Sequence, residues 1–489
     1  MPDCPPDTPV LVGVAAVQQK LDDYQQALEP VALMERALRA AASDAGCPQL
    51  LQRADEILVP KSLWGYSDPA RLLADALGAQ SATTLLAEFG ILQQTLITRA
   101  CQRILDGEAQ VVLVTGGEAR YRELCASRAG TTAQETSQVD AQPDITLQPE
   151  DEMWSQVESD SGLGMPVGYY AIMDSALRYK QGLTVDQHRD QMADMYAGLS
   201  EIAAGNPDAW SDGAVSAAHI RQHSAANRML AFPYTKLHNS QWNVDQAAGL
   251  ILCGAGLAQE LGIARDKWVF PLASTESNFM SVVASRKDLG ASAGFRVAGE
   301  VAMELAGVNF NDVRLRELYS CFPFAVRAQL QEFGMDPSKG ISVTGGMTFG
   351  GGPLNNFVYQ ATVKMAQLLR ENPAETGLVT TVSGMLTKQA CALWSATPGA
   401  GDWACADVTE RVRDLSEVCE LVADYQGEGT VAGYTVLYQG LEPWRAVAVF
   451  DLPGGQRTVA YSEDEQMLQQ MMTRECCQRA YQVAAGQFS

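Results

Sequence analysis

Residues 90–119 read GILQQTLITRACQRILDGEAQVVLVTGGEA, and the fold follows from how this stretch is read. Apolar residues at Ile91, Leu92, Leu96, Ile97, Ala100, Cys101, Ile104 and Leu105 recur at helical spacing, and Gly107 ends the run. AQVVLVTGG (109–117) follows, apolar on both faces, as does ATTLLAEF (82–89) before the helix; both predict strands of a largely buried sheet. The unit is strand, helix, strand.

Working outward, PVLVGVAAV (9–17), DEILVP (55–60) and AAGLILCGAG (247–256) have the same strand character. A second series begins near residue 267, with KWVFPLAS, LRELYSCF, KGISVTGG, TGLVTTVSGM and ALWSA as strands between helices such as RVAGEVAMELAG and NNFVYQATVKMAQLLREN. Two alternating halves predict two layered α/β domains packed together, residues 1–265 and 266–400. Residues 118–245 are polar, with helical patches such as PVGYYAIMDSALRYKQG, and read as an insertion in the first half, a common place for binding loops. From 405 to 489 the pattern changes to period two with EP and GG turns. This tail is expected to be a separate β-rich unit, a small OB-like barrel around its own core.

Composition narrows the function classes. The chain has 489 residues, 47% hydrophobic and 19% charged, a normal globular balance for two or more domains. The formal charge of -23 leaves no basic surplus for nucleic acid or an anionic membrane. The N-terminus has no basic stretch followed by an apolar one, and no segment approaches a membrane-spanning length, so a soluble cytoplasmic protein is expected. Eleven cysteines are scattered without a CxxC motif or a zinc-spaced cluster, and reduced thiols are expected, the adjacent Cys476 and Cys477 included. His219 and His223 stand four apart without a third ligand, which reads as two surface residues and no metal site.

Residues 343–356, VTGGMTFGGGPLNN, carry five glycines in fourteen positions. Such a loop suits close backbone approach to a ligand, yet it has no histidine, cysteine or acid to do chemistry. Together with FPYTKLHNSQWNVDQAAGLILC, LYSCFPFAV and TTVSGMLTKQA, in this order along the chain, it resembles the thiolase superfamily over about residues 8–398. The β-rich tail is similar to that of thiolase-like proteins with a C-terminal addition. The resemblance implies a five-layered αβαβα fold with an inserted loop domain. It also implies an acyl-CoA thioester as substrate or ligand, with no other cofactor. Members pair through the strand that precedes the nucleophile. The added unit is expected to obstruct this, so homodimer and monomer both stand.

The resemblance also places four catalytic elements. The nucleophilic cysteine at a helix N-terminus, where the helix dipole favours thiolate, falls on Gly90 when counted back from Gly107. The activating histidine falls on Gly352, before Pro353, and the second cysteine falls near Val382 and Ser383, whose hydroxyl is far less acidic than a thiol. The fourth element reads Tyr319, Ser320, Cys321, Phe322. Tyr319 stands where relatives hold the thioester oxygen, and a phenol can donate to an oxyanion or act as acid or base. Cys321 is either a buried-strand thiol or a surrogate nucleophile, and Asp245, in NVDQAAG, is expected to pack loops. Three functions remain. The first is an acyltransferase- or aldolase-type enzyme making or breaking a carbon–carbon bond without covalent catalysis, through Tyr319 and the backbone donors of Gly350, Gly351 and Gly352. The others are a non-catalytic acyl-CoA binder and a scaffold whose C-terminal unit docks a partner.

Overall fold

The structure, a computed structural model, describes residues 4–150, 153–399, 401 and 403–489. Its first sheet runs Pro9–Gln18, Asp245–Gly254, Val111–Ala119, Glu56–Pro60, Thr83–Ala87, Ile145–Leu147 in spatial order. Its second runs Leu315–Glu317, Thr376–Ser383, Lys388–Ser395, Phe270–Ser277, Ala404–Asp407. Helices Gln93–Leu105 and Phe357–Glu371 lie between the sheets. Pro30–Asp44 and Pro69–Leu77 cover the outer face of the first sheet, and Ala293–Ala306 and Pro323–Phe333 that of the second. This is the five-layered αβαβα arrangement.

The double covering explains the strand composition. In Pro9–Gln18, Val10 and Val12 face the outer helices while Leu11 and Val14 face the central layer, so alternate residues bury into two different cores. Where two covering layers approach closest, side chains are excluded: a Cβ on Gly249 would lie 2.8 Å from the Ala37 carbonyl carbon.

Two expectations about element partners are corrected. KGISVTGG forms no strand; Pro337–Lys339 is a short 3-10 turn, and the residues after it wind around a buried carboxylate described below. The C-terminal unit is also not independent. Its long strand Gly427–Gln439 and strand Glu442–Asp451 pair in a closed sheet that also includes Met229–Ala231 and Tyr234–Thr235 of the insertion. The insertion helix Pro166–Lys180 packs on the same strand so closely that a Cβ on Gly433 would stand 2.8 Å from the Ile172 carbonyl oxygen. The buried Arg457 donates to the carbonyls of Ala284, Arg286 and Lys287. Ala404–Asp407 at the start of the tail pairs with Phe270–Ser277 and extends the second sheet. A period-two pattern predicts strands correctly but carries no information about which strands they join.

Thr83–Ala87, the strand before Gly90, is not a sheet edge. Ile145–Leu147 of the insertion pairs alongside it in register Leu85 to Ile145, Leu86 to Thr146 and Ala87 to Leu147. Asp144 fastens the start of this cover, its carboxylate accepting from the Thr84 N–H at 2.8 Å and from Arg71 at 3.0 Å. The element that closes this edge therefore belongs to the insertion, not to the added C-terminal unit.

Candidate functional site

After Thr83–Ala87 the chain turns at Gly90, with φ +98, into helix Gln93–Leu105. The Glu88 N–H donates to the Leu147 carbonyl at 2.8 Å, which draws Pro149 over the turn. A Cβ built on Gly90 meets Pro149 Cβ and Cγ at 3.0 Å each. A side chain is disfavoured here twice over, by the left-handed backbone and by the proline above it. The adjoining helix start bonds to its neighbour: the Gln93 amide oxygen accepts the Val358 N–H at 3.0 Å, and Tyr359 donates its hydroxyl to the Gln93 carbonyl at 3.2 Å.

The glycine loop is organised by Glu317, a fully buried carboxylate at the end of strand Leu315–Glu317. It accepts the N–H groups of Val343 at 2.9 Å and Thr344 at 2.8 Å, and the Ser342 hydroxyl at 2.9 Å. Ser342 Oγ in turn accepts from Gly345 and Gly346 at 2.9 and 3.0 Å, and Ser320 Oγ from Met347 at 3.0 Å. Burial pushes the Glu317 carboxyl up to about 7 even against these donors. Farther along, the Gly350 N–H donates to the Gly346 carbonyl at 2.7 Å and the Gly352 N–H to the Gln241 carbonyl at 2.9 Å. These two donors are engaged inside the protein, so the expectation that Gly350 and Gly352 present backbone donors to a thioester oxygen is corrected. Gly351 has φ +99, and a Cβ there would lie 2.1 Å from Gln246 Oε1. A Cβ on Gly352 would lie 1.9 Å from Ser240 Oγ and 3.1 Å from the Met347 carbonyl oxygen, so no histidine fits without displacing both. The void beside Gly350 and Gly351 is about 10 Å³, room for no more than one water.

Tyr319, Ser320 and Cys321 follow Glu317 into the interior. The Tyr319 backbone is fixed by the Thr380 hydroxyl at 2.8 Å and by Gln329 Nε2 at 3.0 Å, and its ring packs edge-on to Phe357 at 5.9 Å. No protein group bonds its hydroxyl among the described residues, and burial raises its pKa above the ordinary phenol value. Ser320, in contrast, is occupied in anchoring the loop. Cys321 is buried against the hydroxyl of Tyr170, and burial pushes its thiol up to about 12. A thiol with that pKa is protonated at neutral pH and is a poor nucleophile.

The fold adds residues that no local pattern singles out. Phe322 stacks on Tyr170 at 4.4 Å and on Tyr234 at 6.3 Å, and the Ser240 N–H donates to the Cys321 carbonyl at 3.1 Å. Tyr234 donates to the buried Asp174 at 2.5 Å, and the same carboxylate takes Arg327 and His188. Burial works to raise the Asp174 carboxyl, but the Arg327 guanidinium and His188 outweigh it and hold it well below the usual range. His238 lies 5.3 Å from Tyr196, ring to ring, with its Nε2 buried and unpartnered. Burial depresses His238 to about 3 and His188 to about 4, so both are neutral. His219 and His223 are exposed, and no group of ligands able to hold a metal occurs among the described residues.

No family model matches the sequence. The chain is 26% identical over 271 residues to an acetyl-CoA acetyltransferase of Methanocaldococcus jannaschii, covering 55% of this chain and 62% of that curated relative. Among solved structures, the monomeric SCP2-thiolase-like protein type 1 of Mycobacterium smegmatis superposes with TM-score 0.82 at 26% identity, over 98% of this chain and 97% of that one. Human mitochondrial 3-ketoacyl-CoA thiolase superposes with TM-score 0.57 at 17% identity, over 81% of this chain and all of that one. This chain has a thiolase-like fold.

The remaining landmarks of the thiolase-like chain fit the same account. Ser383 ends strand Thr376–Ser383, and the turn beyond it sets Gly384, Met385 and Leu386 at φ 58, 52 and 62. Two consecutive non-glycine residues in the left-handed region store about 1–3 kcal/mol each, and the Leu386 side chain is buried. Asp245 packs loops: it accepts the Tyr121 and Arg122 N–H groups at 2.8 and 3.0 Å, and Gln19 at 3.2 Å. All eleven cysteines are unpaired, and no helix among the described residues is long and apolar enough to cross a membrane.

Proposed function

We propose that the protein binds an acyl-CoA thioester and performs no covalent acyl transfer. The carrying observation is at Gly90, which has no side chain where the resemblance expects the nucleophile of a thiolase, and where a left-handed backbone and Pro149, 3.0 Å from an added Cβ, disfavour one. The closed position of Gly352 and the protonated Cys321 support the same reading, since neither base nor alternative thiolate is present. The acyl-CoA ligand is inferred from likeness to the acetyl-CoA acetyltransferase and to the SCP2-thiolase-like protein. The covered edge of Thr83–Ala87 supports a monomer, which light scattering on the purified chain tests directly.

Calorimetric titration with acetyl-CoA and acetoacetyl-CoA should give saturable binding. Intact-mass measurement afterwards should show no acyl adduct, and acetoacetyl-CoA with free CoA should show no thiolysis. An adduct on any cysteine, or thiolysis near the rate of ordinary thiolases, overturns the proposal. One observation favours a second reading: the Tyr319 hydroxyl, free of protein partners, is available to a substrate oxygen. Retro-aldol cleavage of a β-hydroxyacyl-CoA that is lost in Tyr319→Phe would establish that reading; an inert wild type would remove it.

A further inference from the structure

Helix Pro323–Phe333 begins directly after Tyr319, Ser320, Cys321 and Phe322, so whatever fixes its first turn also fixes where that segment lies. The insertion grips it there with buried polar groups that neither functional reading uses. Tyr234, in strand Tyr234–Thr235, accepts the Phe324 N–H at 3.1 Å, one of the amides that a helix start leaves without an intrahelical carbonyl, and donates its hydroxyl to Asp174. Asp174, on helix Pro166–Lys180, also pairs with Arg327 of the gripped helix. His188, on helix Val185–Ala204, brings its Nε2 to 3.2 Å from the same carboxylate. Arg327 donates as well to the Gln181 amide oxygen. Asp174, His188 and Tyr234 are fully buried, and Arg327 is 8% exposed.

The placement of these groups is what a register pin requires. Phe324 and Arg327 stand three apart and share one face of the helix, the face turned to the insertion. A shift of one residue along the helix carries a side chain about 100° round its axis. That takes Arg327 off Asp174 and leaves both buried charges unpaired, whereas an apolar contact tolerates such a shift far better. Burying an ion pair in place of well-packed apolar residues of similar volume often brings no net stability. The network is therefore better explained by the single arrangement it permits than by the energy it adds. Phe322, its ring between Tyr170 at 4.4 Å and Tyr234 at 6.3 Å, passes the constraint to the residues before it.

We infer that Asp174, Tyr234 and Arg327 are positioning residues for the 319–322 segment: they set the register of helix Pro323–Phe333 on the insertion and, through it, the placement of Tyr319 and Cys321. As a statement about a ligand site this rests on the acyl-CoA proposal, and one arm of the test does not. Alkylation of Cys321 by iodoacetamide in the native full chain, followed by peptide mass, reads the segment directly, with the buried Cys253 and Cys391 as internal references. Asp174→Asn combined with Arg327→Met removes both charges with little change of volume. Cys321 should then be alkylated at least about tenfold faster, with the rates at Cys253 and Cys391 and the melting temperature little changed. If that double variant fails to fold, Tyr234→Phe decides, since it keeps the ring and removes only the hydroxyl; a several-fold rise at Cys321 alone supports the inference. An unchanged rate at Cys321 overturns it. So does an equal rise at all three cysteines, because a loss of stability alone opens every buried thiol together. Titration with acetoacetyl-CoA is the second arm, and affinity should fall in the variants whose Cys321 has loosened. A wild type that binds no acyl-CoA removes the ligand reading and leaves the alkylation result to judge this inference. Affinity unchanged while Cys321 loosens keeps the positioning of the segment and removes its link to the ligand.

Discussion

At Gly90 the closure is steric: a backbone with φ +98 lies beneath Pro149 and strains any side chain placed there. At residues 342–352 the closure is made of hydrogen bonds, and the loop keeps an open-looking, glycine-rich trace because Glu317, Ser342 and Ser320 hold its N–H groups from inside. The two regions teach different things about glycine. One glycine stands where another chain segment arrives; the other glycines stand where backbone donors must reach a buried carboxylate. Buried N–H groups need acceptors, and an internal acid satisfies them as well as a ligand would.

The comparison breaks first at Glu317. Glu317→Leu removes the acceptor of two buried N–H groups and of the Ser342 hydroxyl, and should cost about 3–4 kcal/mol in chemical denaturation. A cost below about 1 kcal/mol would mean that the loop is held by something else.

Titration sharpens it next. Burial raises Glu317 to about 7 and Glu118, on the first sheet, to about 8. Both therefore hold protons in the folded state at a pH where the unfolded chain has released them, and stability falls as pH rises through this range. Between about pH 6.5 and about pH 8.5 the two together should remove about 2–3 kcal/mol. Below that window the neutral His188 and His238 act in the opposite sense, since their lowered values make the fold lose stability as pH falls through the ordinary histidine range. Melting curves across the upper window should show the decline, and Glu118→Gln should flatten most of it. A flat wild-type profile would show that these acids are ionised in the fold.

Restoring the nucleophile is a smaller perturbation. Gly90→Cys should cost about 1–3 kcal/mol from strain and the Pro149 contact, and should acquire no acyl group from acetyl-CoA by intact mass, even when combined with Gly352→His. Acylation of that cysteine would show that the 145–149 segment yields readily. Least of all, Cys321→Ala should cost about 1 kcal/mol as a packing loss, and Tyr319→Phe should leave the melting temperature unchanged. A large destabilisation by Tyr319→Phe would mean that its hydroxyl is structural.

Much of the fold was legible because it rests on local periodicity. The helix at 93–105, the strands flanking it and the helix at 357–371 follow from residue spacing alone. KGISVTGG misled because its alternating pattern, which suits a strand, serves a loop wrapped on Glu317. The tail misled because pattern shows a strand's faces but not its neighbours. Of the candidate site, Gly90, Gly352 and the Tyr319–Cys321 segment could be placed by order along the chain. Tyr170 and His238 could not, since nothing local distinguishes them from other residues of the chain.

By itself, then, the sequence determined most of the helices and strands, and that glycine stands at 90 and 352, where the resemblance to thiolases expects nucleophile and base. Only the tertiary structure decided that Pro149 fills the first position, that an internal carboxylate occupies the loop, and that the insertion shares a sheet with the tail. Those outcomes depend on contacts between residues tens to hundreds of positions apart, such as Gly90 with Pro149 and Leu437 with Ala231. A local pattern encodes the shape of each surface, and the energy of burying one surface against another exists only once the chain has brought them together.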